Sequence, residues 1–258
     1  MAFFRRSALG HRLVAAVVHL AASAAVAGAV AIVIFRLWFP APFEVVAGGR
    51  SLFFLLVSID VVLGPALTFV VASPGKPKRQ FRRDLAAIVV VQLAALGYGI
   101  HTISEARPVL VSFEIDRFRV VTAADVERSQ LALAIPGLRT LPWAGPRVIA
   151  AVKPTDPDEQ LKSIDLGLAG IDLSMLPKNW RSYDSERSKA WARARPVALL
   201  LEHYPERRSE LKNIALSASR PVESLRFLPL LSRQASWVAI LSPPDVRIVG
   251  YVAVDGFF

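Results

Sequence analysis

Three apolar segments near the N-terminus constrain the fold of this chain more than any other feature. They run from Leu13 to Phe35, from Ser51 to Ala72 and from Leu85 to Ile103. Each is close to the roughly 20 residues that an α-helix needs to cross a hydrocarbon layer of about 30 Å. The sequence therefore predicts three transmembrane helices. A mean hydropathy of +0.43 over the chain agrees with a membrane protein that also carries a polar domain.

The first apolar segment shares some features with a secretory signal peptide. It is rich in alanine and is preceded by three bases, Arg5, Arg6 and Arg12. The apolar run is longer than a signal-peptide core, and the bulky residues 37–39 follow it instead of a small-residue cleavage site. We therefore expect an uncleaved membrane anchor.

The distribution of basic residues predicts how the helices are oriented. Residues 1–103 carry ten Lys or Arg against three acids, so most of the net charge of +10 lies beside the apolar segments. The loop 36–50 has two bases, whereas the loop 73–84 has five: Lys76, Lys78, Arg79, Arg82 and Arg83. Because cytoplasmic loops are enriched in Lys and Arg, the N-terminus and the second loop are predicted to be cytoplasmic. Binding of acidic lipids or of a cytoplasmic partner is a less common explanation for such a loop.

The first helix is expected to end on the outer side of the membrane. Pro40 and Pro42 cannot continue a helix. Trp38, Phe39 and Phe43 surround these prolines and suit the aromatic belt of a membrane–water interface.

The rest of the chain is predicted to lie outside the cytoplasm. We divide the sequence into a membrane domain, residues 1–103, and a periplasmic domain, residues 104–258. Alternating apolar residues in PVLVSFEIDRFRVVTA predict one or two strands, and SWVAILSPPDVRIVGYVAVDGF predicts a closing hairpin. Helices are predicted at 123–133, 156–168, 185–194 and 206–217. Since strands and helices mix without a βαβ rhythm, the predicted fold class is three transmembrane α-helices followed by an α+β extracytoplasmic domain.

Asp60 interrupts the second apolar segment. It lies nine residues from the outer end of that segment, which is roughly 13 Å into the membrane at about 1.5 Å per residue. An ionised Asp there is unfavourable by about 2.5–3.5 kcal/mol, so Asp60 should be paired, protonated or turned into the helix bundle. Gln92 lies at a comparable depth in the third segment and predicts an Asp60–Gln92 hydrogen bond, with Ser58 and Ser23 as alternative partners.

Small residues and a proline surround this position. Gly64 follows one turn after Asp60 and would let a neighbouring helix come close. Pro65 removes one backbone donor, so a kink or a freed carbonyl is expected. Gly97 and Gly99 offer a second surface of close approach.

Several roles compete for Asp60. An intramembrane aspartyl protease needs two carboxylates at one depth, and Asp84 at the cytoplasmic edge does not match. A proton or ion relay needs polar groups across the whole bilayer, which one Asp and one Gln do not supply. Recognition of a polar group on another transmembrane helix stays open, as does a structural role in holding the bundle together.

The sequence gives little sign of catalysis. Cysteine is absent, which excludes disulfides, thiolate metal sites and Cys nucleophiles. Residues 104–258 contain no phosphate-binding glycine loop, no G-x-S-x-G motif and no two-histidine metal spacing. His203 and Glu206 form a weak acid–base candidate that is more simply a surface pair. We predict no enzymatic activity, no cofactor and no nucleic-acid partner, because the excess of bases borders the membrane segments.

Three stretches of sequence occur in a characteristic order. They are WFPAPF after the first segment, SIDVVLGPALTFVVASPGK across the second, and DLAAIVVVQLAALGYGIHTISEARPVLVSFEIDRFRVVTAADV from the third into the outer domain. Together they resemble the type IV pilin accessory proteins of the TfpX/TfpZ group, from about Trp38 to Val126. The resemblance includes a membrane signature, which contains Asp60, Gly64 and Pro65. It also includes a juxtamembrane signature, which contains Arg107, Pro108, Asp116 and Arg117. It implies no catalytic residue.

The resemblance implies a non-enzymatic accessory factor in the inner membrane of a Gram-negative bacterium. Its expected partners are a type IV major pilin, the inner-membrane lipids and other pilus-assembly components. A pilin has an apolar helix in the bilayer and a head outside, so a helper needs a surface in both places. Since the pilin helix typically carries a glutamate, Asp60 or Gln92 is expected to offer it a hydrogen bond. The alternatives are a membrane-anchored periplasmic enzyme or sensor with an unrecognised site and, less favoured, a small transporter.

Overall fold

The chain forms three long apolar helices followed by an α+β domain, as the sequence predicts. The computed structural model describes residues 2–73 and 75–258, with side chains except at positions 2–8 and 11, so the side chains of Arg5 and Arg6 lie outside the described residues. Contacts divide the chain into two compact units. The first comprises Met1–Trp38 and Gly49–Glu105, and the second comprises Phe39–Gly48 and Ala106–Phe258. Their assignment to a membrane and a periplasmic domain remains a prediction.

Three helices of the first unit are long and apolar enough to cross a membrane. Helix α1 spans Ala2–Val33 and continues as a π-helical turn, Ile34–Trp38. Helix α3 spans Gly49–Val71, and helix α4 spans Lys78–Ala106. Helix α4 begins seven residues before the predicted apolar segment, because the basic residues that precede it are good helix formers.

Two basic side chains, Arg12 on α1 and Lys76 between α3 and α4, stabilise the end of α3. Arg12 Nε donates to the carbonyl of Ala72 at 3.0 Å, and Lys76 Nζ donates to that of Val71 at 3.4 Å. Lys76 also forms an ion pair with Asp84. Basic groups at a helix C-terminus satisfy free carbonyls and interact favourably with the helix dipole. Part of the basic character of this region therefore has a structural role.

One sheet organises the second unit. Its strands are β1 (Pro108–Glu114), β2 (Arg117–Thr122), β3 (Arg147–Ala151), β4 (Trp180–Ser182), β5 (Arg195–Pro196), β6 (Arg226–Leu231), β7 (Trp237–Ser242) and β8 (Arg247–Val252). The strand order is β4-β3-β1-β2-β6-β7-β8, with β5 paired to β6. The β7–β8 pair is an antiparallel hairpin, as predicted. The stretch predicted as one or two strands forms two, β1 and β2, which also pair as an antiparallel hairpin. The β1–β3 and β2–β6 pairs are parallel.

Five helices belong to this unit: α2 (Phe43–Val46), α5 (Pro157–Leu168), α6 (Tyr183–Arg193), α7 (Val197–His203) and α8 (Arg208–Ser217). The prediction of a helix at 123–133 is wrong, since two 3₁₀ turns, Ala123–Asp125 and Arg128–Leu133, occupy this region. The Asp125 carboxylate accepts hydrogen bonds from Thr122 N at 2.9 Å and Thr122 Oγ1 at 2.7 Å. These bonds form a capping box that begins a short turn, and the turn ends at Val126, whose backbone is extended.

The aromatic residues after the first apolar helix are buried in the protein. Trp38, Phe39 and Phe43 are 3%, 0% and 5% exposed, so the prediction that they form an interface belt is wrong. Phe43 N donates to Pro40 O at 2.8 Å, which folds the segment back. Phe43 then packs edge-on against Tyr251 of β8, at 5.4 Å between ring centroids.

Three apolar clusters hold the second unit together. The largest joins α2 and α6 to the sheet through residues such as Val46, Ala190 and Phe118. A second packs α7 and α8 on β6, β7 and β8. A third surrounds Trp180, whose indole N–H donates to Ser174 O at 2.8 Å. Removal of these apolar surfaces from water is the main stabilising contribution to this fold.

Candidate functional site

A chain of polar side chains links the three apolar helices. His19 Nδ1 on α1 lies 2.6 Å from Thr68 Oγ1 on α3, and His19 Nε2 lies 2.9 Å from Gln92 Oε1 on α4. Gln92 Nε2 donates to the backbone carbonyl of Asp60 on α3 at 3.2 Å. A neutral histidine with its proton on Nε2 satisfies all of these contacts, because Nδ1 then accepts from the Thr68 hydroxyl. We call His19, Asp60, Thr68 and Gln92 the polar cluster.

Helix α3 supplies one face for this cluster. Asp60, Gly64 and Thr68 are spaced four residues apart, which places them on the same side of the helix. Gly64 is buried, and a Cβ atom there would lie 2.9 Å from His19 Nε2 and closer still to Gln92 Nε2. The absence of a side chain at Gly64 is therefore what allows His19 and Gln92 to meet. Pro65 follows inside the same helix.

Asp60 and Gln92 lie together, as predicted, but the Gln92 amide donates its 3.2 Å hydrogen bond to the Asp60 backbone carbonyl. The Gln92 amide also interacts with that carboxyl group. Ser58, an alternative partner from the sequence, donates to Leu55 O of its own helix at 2.9 Å. Ser23, the other alternative, lines the cavity described next.

A cavity of about 150 Å³ opens beside the polar cluster. The polar residues that line it are His19, Ser23, Asp60 and Gln92, and apolar residues of all three helices form the rest. A space of this size, lined mostly by apolar side chains and by a few hydrogen-bonding groups, suits a single polar side chain or a few water molecules. The cluster can therefore offer hydrogen bonds to a polar group that enters from an apolar environment.

Sequence reasoning missed His19 and Thr68. A usable signal existed for His19, because it is the ionisable residue within the first apolar segment, and such residues are rarely without a role. Thr68 gave no comparable signal, since a threonine can satisfy its hydroxyl within its own helix.

The juxtamembrane signature does not form one site. Arg107 and Pro108 lie at the start of β1, where Arg107 O accepts from Ala123 N at 3.0 Å and the guanidinium lies 5.8 Å from the Trp143 ring centroid. Asp116 and Arg117 lie beyond the other end of this seven-residue strand. At about 3.3 Å per residue, the two pairs are roughly 20 Å apart.

A buried carboxyl group lies near the tip of the same hairpin. Glu114 Oε2 accepts from Ser174 N at 3.2 Å, and Arg117 Nε lies 3.6 Å from Glu114 Oε1. Burial, and then the charge of Asp172, raise the pKa of Glu114 above its ordinary value. Asp172 itself pairs with Arg119. The arrangement holds β1, β2 and the 3₁₀ turn at 173–175 together.

No catalytic constellation emerges among the described residues. His203 stacks on Phe258 at 3.8 Å between centroids, and its Nδ1 lies 3.0 Å from Leu199 O. These contacts give His203 a packing role. Within the described part of the chain, no group of three or more His, Asp or Glu side chains is arranged to hold a metal ion.

Known proteins resemble this chain along most of its length. A family model described as "Fimbrial assembly protein FimB" matches residues 7–48. The fimbrial assembly protein of serogroup I from Dichelobacter nodosus is 34% identical over 242 residues, 93% of this chain and 94% of that protein. The serogroup E1 protein is 33% identical over 242 residues, again 93% and 94%. The protein of serogroups C1 and C2 is 38% identical over 117 residues, 45% of this chain and 89% of that protein. No solved structure matches. Since the similarity to the serogroup I protein runs along nearly the whole of both chains, this chain belongs to the family of fimbrial assembly proteins.

Proposed function

We propose that this protein is a non-enzymatic accessory factor of type IV pilus assembly that binds a major pilin in the inner membrane and promotes its stability, assembly or surface display. The observation that carries the proposal is the similarity, over 93% of the chain, to proteins named for fimbrial assembly. The narrower assignment to the TfpX/TfpZ group rests on the three ordered stretches between Trp38 and Val126.

A feature of the second unit supports the proposed topology. Phe43 and Val46 precede α3, yet they share an apolar cluster with strands that follow α4. The segment before α3 and the strands after α4 therefore lie on the same side of a membrane. This agrees with two crossings, one by α3 and one by α4. Together with the five bases of residues 73–84, this favours a cytoplasmic N-terminus and a periplasmic second unit.

The polar cluster supplies a means of recognition inside the bilayer. Its cavity is lined by apolar side chains together with Asp60 and Gln92, which bring a carboxyl group and an amide to it. A pilin helix that carries a glutamate in its apolar stretch would gain a partner there, provided that one of the two carboxyl groups is protonated. Two ionised carboxylates would repel each other in a medium of low dielectric constant.

Site-specific crosslinking tests this proposal. A photo-reactive residue at Val57, which lines the cavity, and another at Glu223 in the second unit would be irradiated in cells that make the pilin. Capture of the pilin at both positions is expected. No pilin at either position would contradict the proposal, and capture at Glu223 alone would reduce the polar cluster to a structural role.

A paired substitution tests the polar cluster directly. Asp60→Leu combined with Gln92→Leu is expected to reduce the number of pili on the cell surface at an equal amount of accessory protein. Ser58→Ala is the matched control on α3, because that hydroxyl bonds only its own helix among the described residues. Normal piliation in the double variant would refute a role of the cluster in pilin binding.

A further inference from the structure

Helix α5 turns an apolar stripe away from the protein. Leu161, Ile164 and Leu168 are 62%, 59% and 85% exposed. At about 100° per residue, these three side chains lie within roughly 60° of one another around the helix. Three large apolar side chains at such spacing are the usual inward face of an amphipathic helix. Here the same face points to solvent.

The contacts of α5 with the rest of its unit lie on the opposite side. Ser163 and Leu166 are half-buried, and Glu159 pairs with Lys178 at 3.0 Å. None of the described residues of α5 is fully buried. The orientation of α5 therefore leaves the apolar stripe outside the core of the second unit.

The stability of α5 comes from local interactions. The Asp156 side chain accepts from Glu159 N at 3.0 Å, Pro157 occupies the first turn, and Asp158 and Glu159 favour the positive end of the helix dipole. Because caps and charges support this helix, the exposed stripe is not needed for the fold. An exposed apolar patch with a polar border is typical of an interaction surface.

Charge distinguishes between possible occupants. Residues 156–168 carry four acids and one base, in a protein with a net charge of +10. Asp158 and Asp165 lie along one border of the stripe. Helices that lie on membranes carry Lys and Arg on their polar face, so an acidic helix is disfavoured at an anionic lipid surface. A protein groove with an apolar floor and a basic edge is the complementary surface.

We propose that α5 docks through Leu161, Ile164 and Leu168 into an apolar, basic-edged groove on the head of the pilin that this protein assists. The inference rests on the proposed function and names a second contact surface for the same partner. Binding of this kind uses the i, i+3 and i+7 positions of one helix as anchors.

The native chain contains no cysteine, so single-cysteine variants allow a direct test. Leu161→Cys, Ile164→Cys and Leu168→Cys would be labelled with a membrane-impermeant maleimide in spheroplasts that make the pilin and in others that lack its gene. Labelling at the three stripe positions is expected to be lost when the pilin is present. Lys162→Cys, exposed on another side of the helix, is the control and should be labelled equally in both.

A charge reversal adds a second readout. Asp165→Lys in the Ile164→Cys background is expected to restore labelling in the presence of pilin, because the basic edge of the groove would then be repelled. The substitution lies near the helix C-terminus, where a base is favourable for the helix itself.

Two outcomes would overturn the inference. Equal labelling of the stripe with and without pilin would show that the pilin does not cover it. Equal protection would assign the stripe to lipid or to a second copy, which disulfide crosslinking between Ile164→Cys chains separates. If the pilin is crosslinked at Val57 while the stripe stays labelled, this inference fails and the proposed function stands.

Discussion

At the scale of single residues, His19 has two partners on different helices. Its two ring nitrogens contact Thr68 on α3 and Gln92 on α4. Each interhelical hydrogen bond of this kind contributes on average about 0.6 kcal/mol, with values up to about 1.7 kcal/mol. Loss of one member leaves another polar group without its partner beside apolar helices, which adds a desolvation penalty.

Gln92, like His19, contacts two other members of the polar cluster, and Gln92→Leu removes both contacts. We expect the free energy of unfolding to fall by about 1–2 kcal/mol, since bonds to His19 and to the Asp60 carbonyl are both lost. Denaturation by SDS of the protein in mild detergent measures this quantity. Val91→Ala, at a neighbouring position that is 68% exposed, is the control. Equal effects of the two changes would mean that the polar cluster contributes no stability.

Glu114 predicts a dependence of stability on pH. Its pKa is raised in the folded state by burial and by the charge of Asp172. Between the ordinary glutamate pKa, about 4.3, and the raised value, the folded state binds more protons than the unfolded state. The contribution of Glu114 to stability is therefore present below this window and is lost as the pH rises through it.

Thermal unfolding of the wild type and of Glu114→Gln at a series of pH values tests this sign. The variant is expected to lack the loss of stability with rising pH that the wild type shows above pH 4. Asp172→Asn should weaken the same dependence, because it removes the repelling charge and frees Arg119. A wild-type stability that rises with pH across this window, relative to Glu114→Gln, would contradict the assignment.

At the scale of elements, the β1–β2 hairpin closes through a strained turn. Ile115 has φ = 58°, and Asp116 N donates to Glu114 O at 2.7 Å across it. A β-branched residue is rare in this region of φ, and such strain is unfavourable by about 1–3 kcal/mol. The exposed side chain of Ile115, 47% accessible, offers little burial in return.

Ile115→Gly should therefore stabilise the hairpin. We expect the free energy of unfolding to rise by roughly 0.5–2 kcal/mol, after the greater chain entropy of glycine in the unfolded state is subtracted. Asp116→Gly, at the next position of the same turn, has no positive φ to relieve and should lower stability. Chemical denaturation of both variants measures the difference, and a destabilised Ile115→Gly would show that the turn is unstrained.

The elements also show where sequence reasoning succeeds and fails. The apolar helices, the closing β7–β8 hairpin and the extended character of β1 and β2 were predictable, because each depends on a local period or turn. Strands β3, β4 and β6 were not predicted, since β3 and β6 pair with strands that lie far away in the sequence. Half of the polar cluster, Asp60 and Gln92, followed from depth in the apolar segments. His19 gave a usable signal as an ionisable residue in the first apolar segment, but its contacts with Thr68 and Gln92 depend on helix packing, which a single sequence does not define.

At the scale of the whole molecule, the proposed topology makes a clear prediction. Lys78→Cys, in the basic loop, should react with an impermeant maleimide only after the inner membrane is made permeable. Glu223→Cys, exposed in the second unit, should react in intact spheroplasts. Labelling in the reverse order would invert the orientation and remove the periplasmic second unit. Because the native protein has no cysteine, the unmodified chain provides the blank.

The second unit is assembled from two parts of the chain that are made at different times. Phe43 and Val46 emerge before α3 is synthesised, but the strands against which they pack end at Val252. At a synthesis rate of about 5–20 residues per second, roughly 200 residues take about 10–40 s. During this interval the segment Phe39–Gly48 lacks the strands against which it packs in the folded protein. Its aromatic residues are then available to the membrane surface or to a chaperone. A nascent chain that stops after α4 would therefore expose Phe43 and Val46 without the strands against which they pack.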